Sequence, residues 1–408
     1  VISLFLAFKN LKKNLNLKKD TIIFLEKNLN NKKSQLKNIH SKLLKKNINI
    51  ENILFEDGIV FKNSVDKKIK IGSYYYNFKE FVSNDIVFAK HPAASSSAYI
   101  DYYNDNFFLI TATGQIVYSE TNDLNNDRLN LSSIKTNIQR LIKYSEFYSS
   151  SGFGVKDLLI HKNKVYVSYV KEHYKDCFST SILIGDLDFS QIDFDDFYTP
   201  DYCVEKSSEF YKDHDHDYLV AHQSGGRMVI NNDLLYLSTG DFRYRTLAQD
   251  ISSDVGKLIS INLITKNKKI ISMGHRNPQG LFYDNNLNYL LSTEHGPKGG
   301  DEINLLDLNK KHTKIPNYGW PIASYGAHYY ENNGRNDIRY KLSPLKKPHK
   351  KYGFIEPIKY FDPSVGISQI VGIPDKFYKS EGSTFLVGTM GTAKKLKQGM
   401  ISLYFFEL

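Results

Sequence analysis

The sequence predicts an all-β domain made of repeated antiparallel hairpins, preceded by an α-helical extension. Two observations carry this prediction. From about residue 98, short apolar strands recur in pairs joined by polar turns, as β-hairpins require. Before residue 58 there is neither Gly nor Pro, and apolar residues follow the three- and four-residue steps of a helix.

Each hairpin is recognised by two apolar runs on either side of a polar turn. In MVINNDLLYLSTGD, residues 228–241, the turn is Asn231-Asn232-Asp233, and these residue types tolerate the left-handed backbone of tight turns. The other hairpins follow the same pattern, at residues 101–117, 157–170 and 281–294, and in FLVGTMG from Phe385 followed by MISLYFFEL.

The second strands of these hairpins end at similar intervals. The ends are 57, 71, 54 and 96 residues apart, at Thr111, Ser168, Thr239, Thr293 and Thr389. A recurrence near fifty residues is the size of one four-stranded propeller blade. The spacing therefore predicts a β-propeller over residues 98–408 with five visible blades. The step of 96 residues admits either a further blade or one long excursion.

Charge divides the chain into two parts. The 408 residues carry a net charge of +10, and residues 1–50 hold twelve Lys against two acidic residues. The remainder is balanced, with 42 basic and 42 acidic side chains. The balance excludes nucleic-acid binding by charge for the body, so any attraction to a membrane or polyanion belongs to the N-terminal segment. Biased coding composition also accounts for its Lys and Asn content.

Residues 1–57 are predicted to form a basic helical stalk, and residues 58–97 a linker. A heptad seam with one polar interruption is typical of a short coiled coil; it consists of Ile22, Leu25, Leu29, Lys32, Leu36, Ile39 and Leu43. The stalk is either a membrane-proximal spacer or a helix packed on the main domain. The opening run VISLFLAF is too short to span a bilayer, and we interpret it as the end of an export or anchor segment.

Cys177 and Cys203 are the two cysteines of the chain. Their spacing matches no metal-binding or redox motif. The sequence allows one disulfide in an oxidising compartment or, equally, two free thiols.

Three glycine- and proline-rich motifs follow one another between Gly274 and Pro321: GHRNPQGL, EHGPKGGDEINL and NYGWP. Each places polar side chains on tight turns next to strands, where binding chemistry is commonly found. Together they resemble the soluble quinoprotein glucose/sorbosone dehydrogenase family, over roughly residues 98–408.

The resemblance implies a six-bladed β-propeller that uses pyrroloquinoline quinone (PQQ) and calcium to oxidise an aldose or another small carbohydrate. It assigns the step of 96 residues to an excursion that carries NYGWP. Because five blades are visible, the last blade is expected to be missing from this chain and to follow Leu408, since a propeller without it would leave sheet edges open.

His222, in HQSGGRM, and Asp241, in STGD, are the catalytic candidates. An imidazole is a suitable general base near neutral pH, and a carboxylate on its second nitrogen fixes the tautomer. The resemblance implies that His222 abstracts the proton of the anomeric hydroxyl, that hydride passes to the quinone, and that Asp241 supports His222. Without the resemblance, the better explanation is that both are turn residues, His222 bonded to backbone and Asp241 capping a tight turn.

Four residues are the cofactor candidates. A guanidinium beside an amide suits a ligand that gains negative charge on reduction, as a quinone does. The resemblance places Arg276 and Asn277 on the PQQ carbonyl oxygens, and His295 and Asp301 near the cofactor. The alternative for Arg276 is a structural arginine that ties blade ends together.

Four further residues are the metal candidates. Calcium prefers oxygen ligands, including backbone carbonyls. The resemblance assigns the carbonyls of Gly296 and Pro297 to a calcium that touches the cofactor, and Glu302 with Tyr318 to the surroundings of a second, structural calcium. The alternative for the carboxylate is a loop cap.

The chain also departs from the family pattern. Ala221 stands where an aspartate usually precedes the catalytic histidine, and SSSGFGVKDLL lacks an expected glutamine. Gly391 or Thr392 replaces a lysine that grips the cofactor, and the paired arginines that bind PQQ carboxylates belong to the absent blade. Each charged hydrogen bond is worth about 1.5–3 kcal/mol, so these losses predict weaker PQQ binding.

Two other functions compete with the dehydrogenase. One is a non-catalytic propeller that binds a carbohydrate or a partner protein, which Ala221 favours. The other is a metal-dependent propeller hydrolase of the lactonase type, from which the NPQG and HGPKGGDE motifs differ. The resemblance also predicts a periplasmic or otherwise extracytoplasmic protein, with a membrane anchor at the N-terminus as a further expectation.

Overall fold

The chain divides into two compact units, Val1–Glu56 and Asp57–Leu408. The computed structural model describes part of the second unit: residues 58–71, 74–82, 98–111, 114–142, 154–206, 221–328, 341–375, 377, 382–391 and 402–408. The predicted helical stalk and its coiled coil lie outside these residues. Among the described helices, none has the length and apolar character to cross a membrane.

The first sheet contains the predicted first hairpin and an additional one. Its strand order is β2-β1-β6-β5-β4-β3, and the short strand β10 pairs with β6. The strands are β1 (Ile59–Ile71), β2 (Tyr74–Val82), β3 (Ala98–Tyr103), β4 (Asn106–Thr111), β5 (Ile116–Glu120), β6 (Arg128–Thr136) and β10 (Gln191–Ile192).

The β1–β2 hairpin corrects the prediction of a linker over residues 58–97. Ile59 to Lys62 pair with β6, so the residues from 58 to 82 that the structure describes belong to the first sheet. Their polar, Lys-rich composition obscured this, because a strand at the outer edge of a sheet buries little of its surface.

The second sheet has the order β11-β9-β8-β7, with β12 also paired to β9. The third is β13-β14-β15-β16. Their strands are β7 (Val155–His161), β8 (Lys164–Tyr174), β9 (Cys177–Asp186), β11 (Phe194–Tyr198), β12 (Val204–Glu205), β13 (Gly225–Asn231), β14 (Leu234–Thr239), β15 (Lys257–Asn262) and β16 (Lys268–Met273).

The fourth sheet is β17-β18-β19-β20 and the fifth is β21-β22-β23. Between β19 and β20 the chain makes the long excursion that carries NYGWP, and its described residues add no sheet of their own. The excursion prediction is thus confirmed for those residues. The strands are β17 (Pro278–Asp284), β18 (Tyr289–Glu294), β19 (Asp301–Asp307), β20 (Lys359–Phe361), β21 (Ile367–Ile373), β22 (Thr384–Thr389) and β23 (Ser402–Glu407).

Helical structure is confined to short pieces in the part of the chain that the structure describes. The described residues contain one α-helical turn, α1 (Ile138–Leu141), and two further α-helical residues, Lys341 and Leu342. Four 3-10 turns complete the inventory, at Thr121–Asn125, Ala221–Gln223, Arg245–Gln249 and His349–Tyr352. The domain is therefore all-β, as predicted.

The five sheets lie side by side around their first strands. Strand β3 packs against β7, β7 against β13, β13 against β17, and β17 against β21. Arg227 links these strands: its Nη1 donates to Asp157 on β7 at 2.9 Å, its Nε donates to the Gln279 carbonyl on β17 at 2.8 Å, and its guanidinium lies over Tyr99 of β3. This is the curled, radial arrangement of a propeller.

The core lies between adjacent sheets, and successive residues of a middle strand serve opposite interfaces. On β18, Leu290 packs in the cluster shared with the third sheet, whereas Leu291 packs in the cluster shared with the fifth. Alternate side chains of a strand point to opposite faces. Because both faces are buried, these strands are continuously apolar, which explains the sequence of the hairpins.

Cys177 and Cys203 form a disulfide, with their Cα atoms 5.5 Å apart. This settles the alternative that the sequence left open. The bridge joins β9 to the residue just before β12, which itself pairs with β9 through Val204. It therefore fastens the segment that leads toward the turn containing His222.

Candidate functional site

Most of the predicted site residues lie on turns next to strand ends, whereas Asp301 and Glu302 begin β19. His222 is in the 3-10 turn Ala221–Gln223, just before β13, and Asp241 follows β14. Two backbone bonds join these segments: Gly240 N–H donates to the Ser224 carbonyl at 2.8 Å, and Phe242 N–H donates to the Gln223 carbonyl at 3.0 Å. The structure thus brings the His222 turn and the Asp241 turn side by side.

The Arg276–Asn277 turn, just before β17, is joined to both. Asp241 N–H donates to the Arg276 carbonyl at 2.8 Å. Gly225 N–H, three residues after His222, approaches the Asn277 Oδ1 at 3.4 Å. The loops of the third and fourth sheets therefore meet in one region, as expected if His222 and Arg276 share a site.

The Asp241 carboxylate is fully buried. Its Oδ1 accepts the Arg243 backbone N–H at 2.8 Å, and its Oδ2 accepts the Trp320 indole N–H at 2.8 Å. Burial raises the pKa of Asp241 to about 6, against the opposing effect of the nearby Arg276 and Arg245 guanidinium groups. Because Trp320 and a backbone amide hold the carboxylate, direct support of His222 by Asp241 stays a prediction.

Arg276 is a buried cation of this region, with 5% of its surface exposed. Its Nη1 donates to the His295 carbonyl at 3.0 Å, and its guanidinium lies 5.3 Å from the centre of the Trp320 ring. Its Nε is buried without a hydrogen-bond partner among the described residues. An unsatisfied donor of a buried cation is costly, so this nitrogen is suited to an oxygen of a ligand.

Glu294, the last residue of β18, fixes the Arg276 turn from behind. Its Oε2 accepts the Arg276 backbone N–H at 2.7 Å. Its Oε1 faces His275 Nδ1 at 3.2 Å and accepts from Asn304 at 2.6 Å. His275 is itself fully buried, with Ser272 Oγ 2.7 Å from its Nε2. This buried group orients the turn.

Asp301 has a clear structural role. Its Oδ2 accepts three successive backbone N–H groups of the loop before β21, from Val365, Gly366 and Ile367, at 2.8–3.1 Å. Its Oδ1 accepts the Gly296 N–H at 3.1 Å. The carboxylate thus ties the fourth sheet to the fifth, and it shapes the EHGPKGGDE loop from below.

His295 lies between these two groups. Its Nδ1 is 3.9 Å from Asp301 Oδ1, and its carbonyl accepts from Arg276. Burial lowers the pKa of His295, so the imidazole is held neutral beside the guanidinium. His295 is therefore placed in the predicted cofactor region, although its contact with a cofactor stays a prediction.

The predicted metal set divides into two parts. Within the described residues, the carbonyl oxygens of Gly296 and Pro297 accept no hydrogen bond, so both are available to a cation. Glu302 Oε1 instead faces His349 Nε2 at 3.3 Å, and the Tyr318 hydroxyl donates to the Leu305 carbonyl at 2.6 Å. Over the described ranges, no group of three or more His, Cys, Asp or Glu side chains is arranged to hold a metal ion.

Glu302 and His349 form a buried pair that anchors the excursion. Burial raises the pKa of Glu302, and the neighbouring Glu294 adds to this. Burial alone would lower the pKa of His349, but the neighbouring Glu302 and Glu356 carboxylates together outweigh this and raise it. A cavity of about 10 Å³ lies beside the pair, bounded also by Arg276, Tyr318 and Trp320, which is room for about one water molecule.

Trp320 and Glu294 are the residues that sequence reasoning missed. Both lie inside motifs that were recognised, NYGWP and EHGPKGGDEINL, and Trp320 is the single Trp of the chain. Each could have been found from those motifs. Arg245, whose guanidinium lies 5.2 Å from the Trp320 ring centre, carries no such signal. Lys394 and Lys395, near the missing cofactor lysine, lie outside the described residues.

Two named relatives align with this chain over only part of their own length. Aldose sugar dehydrogenase YliI of Escherichia coli (strain K12) is 32% identical over 171 residues, covering 38% of this chain and 41% of that protein. Quinoprotein glucose dehydrogenase B of Acinetobacter calcoaceticus is 35% identical over 136 residues, covering 26% and 27%. The chain thus matches less than half the length of these relatives.

A solved structure supports the fold. The soluble aldose sugar dehydrogenase from Escherichia coli, in its apo-form, superimposes with a TM-score of 0.52 and 20% identity, covering 75% of this chain and 84% of that one. The model of the family described as "Glucose / Sorbosone dehydrogenase" matches residues 109–400. Because this is well over half of the chain, the protein belongs to the glucose/sorbosone dehydrogenase family.

Proposed function

We propose that this protein oxidises an aldose at its anomeric hydroxyl by hydride transfer to PQQ, with His222 as general base. The observation that carries the proposal is the junction of the three turns that contain His222, Asp241 and Arg276, through the Asp241–Arg276 backbone bond and the Gly225–Asn277 contact. A base and an electrophilic cation on the same rim are what removal of a proton and a hydride from one sugar carbon requires.

The residues present fit the quinone end of PQQ. Arg276 Nε is an unsatisfied buried donor, and Asn277 Nδ2 donates to no residue that the structure describes, since the contacts of this amide are made by its oxygen. The free carbonyls of Gly296 and Pro297 supply the oxygen ligands that calcium prefers. When bound, PQQ would accept the hydride, and calcium would polarise the quinone oxygens.

In this proposal each of the chain's own residues has a separate role. His222 accepts the hydroxyl proton of the sugar as general base. Arg276 and Asn277 stabilise negative charge on oxygen, and Trp320 shields the guanidinium from water on one side. Glu294 keeps Arg276 in place through the backbone bond of 2.7 Å. Asp301 holds the loop that presents Gly296 and Pro297.

The test is reconstitution of the chain with PQQ and calcium, followed by dye reduction with a panel of aldoses. We expect turnover that requires both additions. His222→Ala should lower it by about 10²–10⁴-fold, the usual contribution of a general base, while PQQ still quenches Trp320 fluorescence. His312→Ala, on the exposed part of the excursion, is the matched control and should retain wild-type turnover. Absence of turnover, or equal rates in both variants, would count against the proposal.

A non-catalytic, carbohydrate- or protein-binding role is the second candidate, and Ala221 favours it. This residue is completely buried next to His222, where the resembling enzymes carry an aspartate. Binding of an aldose by the chain in the absence of PQQ, together with no dye reduction in its presence, would establish this role.

An extracytoplasmic location belongs to the same proposal. The Cys177–Cys203 bridge is of the kind that persists in oxidising compartments. Fractionation of cells that produce the protein, with thiol labelling of both cysteines, tests it. Labelling of both thiols in freshly lysed cells would argue for a reducing compartment.

A further inference from the structure

Lys257, at the start of β15, is a fully buried lysine. Its ammonium donates three hydrogen bonds, to the carbonyls of Leu247 at 2.9 Å, Ala248 at 3.1 Å and Val255 at 2.6 Å. An ammonium group has three N–H donors, so each is matched by one carbonyl. Burial of a charge is expensive unless it is compensated in this way. Burial lowers the pKa of Lys257 to about 7, so below that pH it is an internal cation in a cage of carbonyl oxygens.

Two of the three carbonyls belong to the 3-10 turn Arg245–Gln249, which in turn grips the NYGWP segment. Gln249 Nε2 donates to the Trp320 carbonyl at 2.6 Å and to Asn317 Oδ1 at 3.1 Å. Asn317 Nδ2 donates back to Gln249 Oε1 at 2.7 Å. Arg245, at the other end of the turn, stacks on the Trp320 ring.

Trp320 carries this arrangement into the candidate site. Its indole N–H donates to Asp241, and its ring also faces the Arg276 guanidinium. Trp320 is 4% exposed, so its position is set by these contacts. An unbroken series of contacts therefore runs from the Lys257 ammonium, through one short turn, to the ring that lies against both Asp241 and Arg276.

We propose that Lys257 is a positioning residue of the candidate site: its ammonium holds the Arg245–Gln249 turn against the NYGWP segment and so places Trp320 beside Arg276 and Asp241. The proposal deepens the proposed function, on which its meaning for catalysis rests. The placement of Trp320 is testable without any cofactor.

The experiment uses the fluorescence of the single Trp. Lys257→Met keeps the length of the side chain and removes the ammonium. Gln249→Leu leaves the ammonium and removes the grip on the NYGWP segment. Lys268→Met is the matched control, because this lysine lies on the neighbouring strand β16 and binds Asp254 rather than the turn. Emission maximum and acrylamide quenching are measured on each purified chain, with far-UV circular dichroism to confirm folding.

We expect a red shift of Trp320 emission and stronger quenching in Lys257→Met and Gln249→Leu, and wild-type values in Lys268→Met. In Lys257→Ala, added propylammonium, which replaces the deleted atoms, should restore the emission, whereas sodium chloride at equal ionic strength should not. A folded Lys257→Met or Gln249→Leu variant with wild-type emission and quenching would overturn the proposal. If Lys257→Met does not fold, the emission and quenching of Gln249→Leu, compared with the wild type, test the proposal.

Failure of the proposed function is separate from failure of this inference. If the wild-type chain shows no PQQ-dependent turnover, the proposed dehydrogenase function is wrong. The fluorescence measurements still test where Trp320 lies. If the wild type is active, Lys257→Met should lose about 10²-fold in turnover, the cost of a misplacement near 1 Å, while Lys268→Met should lose none.

Discussion

The buried carboxylate of Asp241 should make the stability of this domain fall as the pH rises. Its pKa is raised from 3.8 to about 6, mainly by burial. The folded state therefore binds the proton more tightly than the unfolded chain does. Stability from this residue is fully present below about pH 4 and is lost as the pH passes through 6. Two pKa units at 1.36 kcal/mol each correspond to about 3 kcal/mol.

The perturbation is Asp241→Asn, which removes the titration and keeps the shape. We expect the difference in free energy of unfolding, wild type minus variant, to decrease by about 2.5 kcal/mol between pH 4 and pH 7. Urea unfolding followed by far-UV circular dichroism at half-unit pH steps measures this difference. Trp320 emission, read in the same samples, should titrate with a midpoint near pH 6 in the wild type, because the indole N–H donates to this carboxylate.

Taking the difference between two proteins cancels the other titrating groups that they share. Asp195→Asn, at an exposed position of β11, is the control for removal of a carboxylate as such. A wild-type minus Asp241→Asn difference that stays constant from pH 4 to pH 7 would refute the reasoning. It would mean that the hydrogen bonds of Arg243 and Trp320 offset the cost of burying the charge.

Three further variants test the fold. Asp157→Asn leaves the Arg227 guanidinium without its buried partner. It should lower the free energy of unfolding by about 3–5 kcal/mol in denaturant titrations. A change below 1 kcal/mol would show that this ion pair does not stabilise the contact between blades. Replacing both Cys177 and Cys203 by Ala opens a loop of 26 residues and should lower the free energy of unfolding by about 3.5 kcal/mol. Reduction of the disulfide in the wild type should lower it by the same amount. Gly300→Ala should destabilise the EHGPKGGDE loop and weaken calcium binding in isothermal titration, because φ is +72° and a Cβ would overlap the Gly326 amide nitrogen; calcium affinity equal to wild type would contradict this.

Local sequence was sufficient to locate the five hairpins. Each middle strand is buried on both faces, so its sequence is an apolar run that ends at turn residues. Asn232 has a φ of +52°, and Asp284 Oδ1 accepts the Asn286 and Leu287 amides at 2.8 and 3.1 Å. The propeller order of these hairpins and the excursion between β19 and β20 were predicted correctly.

Local sequence was insufficient where a segment is stabilised by distant partners. The β1–β2 hairpin is polar and largely exposed, and what joins it to the sheet is the pairing of Ile59 to Lys62 with β6. Asp301 matches a family position near a cofactor, yet its two oxygens accept four backbone amides, three of them about 65 residues away in the sequence. Hydrogen bonds of this kind depend on which loops the fold brings together.

The amino-acid sequence by itself determined the family, the all-β class and the turns that carry His222, Arg276 and Gly296. Turns and buried strands depend on residues that are adjacent in the sequence, so the sequence alone predicts them. Only the tertiary structure decided that Trp320 bonds Asp241, that Glu294 fixes Arg276 and that Lys257 is caged by carbonyls. The first contact joins residues 79 positions apart in the chain and the second joins residues 18 apart, whereas the Lys257 cage is made by carbonyls 2 to 10 residues away. Their energies depend on burial and geometry, which arise only when the sheets pack against one another.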